Sequence, residues 1–334
     1  MNRPYLMTEA DTSRTLAQET VLIIGASGQL GTELVPALAK RHGAQRLVLA
    51  DLREPEQGPL GCTTLTLDVT NAAKLNAAIV EHRVGVIYHL AALLSATGEK
   101  NPALAWEVNM GGLLNVLNAA VEHQVKRVFW PSSIAVFGPN SPKENTPQHC
   151  TMDPQTMYGI TKLAGERLCE YYHLTRGLDV RSIRYPGLIS YAALPGGGTT
   201  DYAVEVFYAA KQERPYTSFL GPDAALPMLY MPDAVAGTLQ LMAAPAEQLR
   251  IWSSYNLHGM RFTPAELFGH IAEQVPGFSF DYQPDFRQSI ADNWPGSIDD
   301  SYARTDWGWQ PAYDTPALVA HMLAHVDAAK LTLA

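Results

Sequence analysis

Cysteine is scarce in this 334-residue chain: Cys62, Cys150 and Cys169 are odd in number and have no CxxC spacing. That argues against a disulfide framework or a thiolate zinc site and reads as reduced thiols in a cytoplasmic protein. No apolar run approaches the roughly 20 residues needed to span a bilayer, so a membrane partner is not expected. No block of Lys or Arg occurs and the net charge is −9. Nucleic acid, which needs a concentrated basic patch, is therefore not expected as a partner. His321 and His325 stand four apart, but no HExxH glutamate lies between them, so no metal is assigned. Residues 1–19 are polar and lack the apolar core of a secretion signal. They read as a flexible N-terminal arm, with Met7 as a plausible second start.

What is present is the texture of a soluble globular enzyme, 47% apolar and 17% charged. Its length suits one large domain or two modest ones. Short apolar runs at 21–24, 47–50, 64–67, 86–88, 128–130 and 180–183 predict strands covered on both faces. Helix-length segments at 30–42, 72–81, 103–123 and 158–175 lie between them. That alternation predicts an α/β fold, a Rossmann-type doubly wound parallel sheet over 20–184. From 185 to 334 Pro and Gly become frequent. A smaller, mainly substrate-binding region is expected there, with 255–258 returning to the sheet as a strand.

Residues 25–31, GASGQLG, follow the first strand and open a helix. Gly25 permits a tight turn, Gly28 lets a pyrophosphate approach the backbone, and Gly31 lets helix pack on strand. Asp51 ends the second strand, 20 residues beyond Gly31. A carboxylate there accepts from the adenosine ribose 2′-OH and repels a 2′-phosphate, which favours NAD over NADP, although Arg53 stands close by.

Tyr158 and Lys162 are the central chemical signal, in YGITK at 158–162. On a helix, positions i and i+4 share a face, so phenol and ammonium point to one place. A nearby cation stabilises phenolate and lowers the phenol pKa from near 10, so that Tyr158 can take an alcohol proton as hydride leaves carbon. A hydroxyl at the end of the preceding strand should complete the set, and Ser132 and Ser133 are both candidates.

The GxxGxxG spacing with YxxxK resembles the short-chain dehydrogenase/reductase superfamily, especially its extended, epimerase-like members. The resemblance implies that Ser133, in SxxxFG at 133–138, donates to the substrate oxygen, and that Lys162 holds the nicotinamide ribose. It implies a cofactor cradle of Ser27, Gln29 and Leu30 in the glycine loop, Leu67, Asp68 and Val69 by the adenine, and Leu90, Ala91 and Ala92 in HLAA at 89–92. Asn109, Tyr185 and Pro186 are placed in that cradle by the same resemblance.

Within the superfamily the chain resembles the short-chain L-threonine 3-dehydrogenase type from Val21 almost to its C-terminus. The matching segments include LSA at 94–96, PSSI at 131–134, RYPGLI at 184–189, GGGTTDY at 196–202, LPMLYM at 226–231 and SIDD at 297–300. This implies NAD-dependent oxidation of the L-threonine C3 hydroxyl. Ser95, Gly187, Thr199, Thr200 and Asp201 would meet the substrate with Ser133 and Tyr158, and the glycine run 196–198 would let a loop close over it. No arginine for the threonine carboxylate stands out except Arg184. Dehydratases carry an Asp-Glu pair where this chain has Ile134 and Ala135, and epimerases an Asn where it has Gly187. Sugar-nucleotide epimerisation is the main alternative, and a non-catalytic NAD sensor is a weaker one. The resemblance further implies a homodimer paired through the helices near 103–123 and 158–175, with Ala103, Leu104, Leu113, Leu117, Leu163 and Tyr171 as candidate contacts.

Overall fold

The first seven strands in chain order are β1 (Thr20–Ile24), β2 (Leu47–Asp51), β3 (Thr63–Thr66), β4 (Val84–His89), β5 (Arg127–Ser133), β6 (Val180–Tyr185) and β7 (Gly187–Ile189). They are followed by β8 (Tyr216–Ser218), β9 (Leu226–Tyr230), β10 (Tyr255–Asn256), β11 (Met260–Phe262) and β12 (Phe280–Tyr282). The structure is a computed structural model describing residues 16, 18–53, 55 and 61–330.

Seven strands form one parallel sheet in the order β3-β2-β1-β4-β5-β6-β10. Strand order reverses between β1 and β4, and the crevice beyond the carboxyl ends of those strands is where such sheets bind ligands. Alternation along β1 shows why the sheet must be covered twice. Val21 and Ile23 pack into one apolar layer, Leu22 and Ile24 into the other. A third core lies under the C-terminal half, around the sheet β11-β9-β7 and the pair β12-β8. The expected return of 255–258 to the main sheet is β10, parallel to β6.

Three expectations change. The edge strand β3 is half-exposed along its length, as the last strand of the sheet. The single helix expected over 103–123 is instead a short helix Pro102–Trp106, one π turn Glu107–Gly111 and the helix Gly112–Glu122. The widened turn carries Asn109 inward, a frequent arrangement near functional sites. The expected arm at 1–19 falls mostly outside the described residues, but its end is anchored. Leu16 packs on the core, Glu19 meets Lys126 at 2.7 Å, and Arg46 donates to the Gln18 carbonyl.

Among the described residues, no helix is long and apolar enough to cross a membrane.

Candidate active site

The glycine loop is shaped by close approach. Gly25 has φ +85°, and a Cβ there would lie 2.6 Å from the Ala91 nitrogen. A Cβ on Gly31 would lie 2.5 Å from the Ala26 carbonyl oxygen. Only glycine fits either place. The helix Gln29–His42 starts without a side-chain cap at Gly28, so its first amides are left to face an anion. Asp51 Oδ2 accepts from the Ser27 N–H at 3.0 Å, which ties the end of β2 to this loop. Asp68 Oδ1 is braced by the Thr70 hydroxyl and N–H at 2.7 and 2.9 Å.

Beside the loop, Asp51, Leu67, Asp68, Val69, Leu90, Ala91 and Ala92 line one half of the crevice. Gly25, Gly28 and Leu90 continue into the other half, where Gln29, Leu30 and Gly31 join them. Gln29 Nε2 is buried there with no partner among the described residues. A carboxylate for the ribose, open amides for the pyrophosphate and an apolar slot for the base make these residues fit NAD.

The candidate reacting groups lie in the second half. Thr156 caps the helix Met157–Arg176 through the Gly159 N–H, and Glu99 Oε1 accepts from the Met157 N–H at 2.6 Å. This fixes the turn that carries Tyr158. Ser133, at the end of β5, lines the pocket together with Tyr158, and its hydroxyl is placed to act on the phenol. Alternation along β5 sends Ser132 to the opposite side, where its hydroxyl donates to Glu166 at 2.7 Å. Lys162 is buried, donates to the Pro131 carbonyl at 2.5 Å, and sits 4.5 Å over the Trp130 ring.

The electrostatics differ from the sequence-based expectation. Burial pushes the Tyr158 phenol up to about 12, with the Ser133 hydrogen bond as the opposing influence. Burial likewise pushes Lys162 down to about 7, opposed by Cys169 and Glu166. The ammonium stands 5.4 Å from the Tyr158 ring centroid, and desolvation outweighs its attraction for the phenolate. His89, fully buried at the end of β4, is pushed down to about 3 by burial and by Lys162, which keeps it neutral.

Ser95, Pro186, Gly187, Thr199, Thr200 and Asp201 line this half with Ser133, Tyr158 and Lys162. Asp201, however, directs Oδ2 at the N–H groups of Gly197 and Gly198, each at 2.7 Å. Its carboxylate holds the loop in place. Gly187 is small for packing reasons, since a Cβ would lie 2.5 Å from Met228 Sδ and 2.7 Å from Thr200 Cγ2. Tyr185 lines the crevice, but its hydroxyl turns away to Thr238. Asn109 was expected in the cofactor cradle. Its amide is instead spent on both backbone groups of Leu93, at 2.8 and 3.1 Å, and on Thr161 Oγ1 at 3.1 Å. It shapes the loop beside the crevice. Arg184 is buried against Glu166, Gln148 and Asn256 and does not line the crevice. Sequence reasoning missed Trp294, which reaches the same pocket from a remote segment with no local motif to mark it.

A family model described as the NAD dependent epimerase/dehydratase family matches residues 21–256. The chain belongs to that family. As in the rest of the family, its cofactor is NAD. An uncharacterized epimerase/dehydratase of Staphylococcus haemolyticus is 44% identical over 92% of this chain and 98% of its own length. Among solved structures, the holo form of a GalE-like L-threonine dehydrogenase from Cupriavidus necator is 52% identical with TM-score 0.90, covering 92% of this chain and 100% of that one. An L-threonine dehydrogenase from Phytophthora infestans is 48% identical with TM-score 0.89, covering 93% and 99%. This family member carries Ile134 and Ala135 directly after Ser133, both buried and apolar.

Proposed function

We propose that this chain oxidises the C3 hydroxyl of L-threonine to 2-amino-3-oxobutyrate, reducing NAD. The observation that carries the reading is the lining of the substrate half. It offers short hydroxyls and small residues, Ser95, Ser133, Thr199, Thr200 and Gly187, and, among the described residues, Lys162 as its only Lys or Arg. A nucleoside diphosphate sugar would want cationic side chains for its phosphates, whereas a small zwitterion needs only a few placed donors and acceptors. The solved L-threonine dehydrogenases at about half identity support the same reading.

NAD, when bound, supplies the hydride acceptor. Asp51 and the loop 25–31 would hold its adenosine and pyrophosphate, and Lys162 its nicotinamide ribose. Ser133 donates a hydrogen bond to the substrate oxygen and orients it toward Tyr158. Tyr158, as phenolate, takes the hydroxyl proton as the carbon–oxygen double bond forms. Gly197 and Gly198, pinned by Asp201, keep Thr199 and Thr200 over the pocket, and closure there excludes water.

Two copies of the chain would pair through one helical face. Leu104, Trp106, Leu114, Ile160 and Tyr171 are exposed on the helices Pro102–Trp106, Gly112–Glu122 and Met157–Arg176. Such an apolar patch marks an interaction surface. Leu113 and Leu117, also candidates for that face, are instead fully buried against the sheet, and Leu163 packs on the C-terminal core.

The test is NADH absorbance with purified protein, NAD and L-threonine at mildly alkaline pH, with D-threonine, L-serine, L-allo-threonine and NADP in parallel. Steady NADH formation with L-threonine and NAD is expected. Its absence, together with turnover of a UDP-sugar by tightly retained NAD, would establish the epimerase reading, which the family description and the Staphylococcus relative favour.

A further inference from the structure

We infer that Trp294 is a substrate-binding residue whose indole N–H holds the carboxylate of the amino-acid substrate; this rests on the threonine reading above. The cationic side chains that could take that carboxylate are committed elsewhere. Arg184 is locked to Glu166 by bonds of 2.7 and 2.8 Å, and Lys162 donates to the Pro131 carbonyl at 2.5 Å and in the proposed reading would give its other donors to the nicotinamide ribose. Asp201 repels an anion. The carboxylate must therefore be met by neutral donors.

Trp294 is 9% exposed and lines the pocket that contains Ser133 and Tyr158. Among the described residues its hydrogen bonds are all on the backbone. Its N–H donates to Ala291 at 3.0 Å, and its carbonyl accepts from Lys143 Nζ at 3.4 Å. The indole N–H thus has no partner among the described residues, on a side chain that lines the pocket. A buried indole usually has a partner for that group. Because indole is a donor only, it selects the carboxylate of a zwitterion over its ammonium.

The ring is also firmly placed. Lys143 Nζ reaches the Asp292 carbonyl at 3.0 Å, the Gly296 N–H donates to the Lys143 carbonyl at 2.8 Å, and Thr146 bonds Ser297 at 3.0 Å. The segment carrying Trp294 is zipped to residues 143–146, which lie downstream of the strand bearing Ser133. A donor held this way is preorganised, so little ordering is left for the substrate to supply.

The experiment compares L-threonine with L-threoninamide, which keeps the reacting alcohol but lacks the carboxylate. In the parent protein the amide should have a KM at least about tenfold above that of the acid, and Trp294→Phe should raise the KM for L-threonine about 10- to 100-fold, as expected for a hydrogen bond to a charged group. The KM for the amide should move less than about threefold, with NAD affinity and melting temperature unchanged. Equal KM values for acid and amide in the parent would overturn the assignment. So would a folded Trp294→Phe variant that raises both KM values alike, or neither. Failure of the parent protein to oxidise L-threonine at all would instead remove the functional reading, and this assignment with it.

Discussion

Arg184 Nη2 lies 2.7 Å from Glu166 Oε2, and Ser132 donates to the other oxygen of the same carboxylate at 2.7 Å. Both charged side chains are essentially inaccessible. The pair ties β6 to the helix that carries Tyr158 and Lys162, and it keeps Arg184 out of the pocket that those two residues line. Removing one member of a buried pair strands the other. Arg184→Met should therefore lower stability by about 3–5 kcal/mol in urea unfolding. A variant of normal stability with a raised substrate KM would show that Arg184 meets substrate instead.

The pH dependence follows from Tyr158. Burial pushes its phenol up to about 12, so across the neutral range the proton stays on the group that must act as base. The phenolate fraction grows up to tenfold per pH unit below that value. Oxidation, read as kcat/KM, should rise with pH from 7 to 10, and Tyr158→Phe should remove the rise together with most of the activity. A flat profile in the parent protein would count against Tyr158 as the base.

Asp51 braces the Ser27 N–H, and in the proposed reading its carboxylate would also meet the ribose. Asp51→Ser should weaken NAD by roughly 10- to 100-fold, the worth of a charged hydrogen bond, and should improve NADP relative to NAD. Cofactor titration by NADH-type fluorescence or calorimetry measures both. An unchanged NAD to NADP ratio would mean that Arg53 or the loop backbone sets the preference.

Asp201 acts through the loop. Asp201→Ala frees the N–H groups of Gly197 and Gly198 and should raise the L-threonine KM about tenfold or more while leaving NAD affinity intact. Asp201→Asn keeps one acceptor and should fall between. Equal effects on substrate and cofactor would point to general unfolding, which a melting curve would reveal.

The sequence by itself determined the sheet, the glycine loop and the pairing of Tyr158 with Lys162 on one helical face, while Ser133 was preferred to Ser132 only through the family resemblance. Each of these is local: the strands are short continuous apolar runs, YxxxK shares one helical face, and GxxGxxG lies within seven consecutive positions. What those groups do electrostatically was not legible there, because the expected lowering of the Tyr158 phenol depends on how much water remains beside it. Only the tertiary structure decided that Arg184 is internal, that Asp201 clamps its own loop and that Asn109 holds Leu93 from within a π turn. Trp294 belongs with these. It lies more than 160 residues beyond Ser133 in the chain, and no periodicity or spacing links two positions that meet only once the loops at 143–146 and 294–297 are zipped together. Local geometry is written into neighbouring residues, whereas partner choice among buried polar groups is settled by which segments the fold brings into contact.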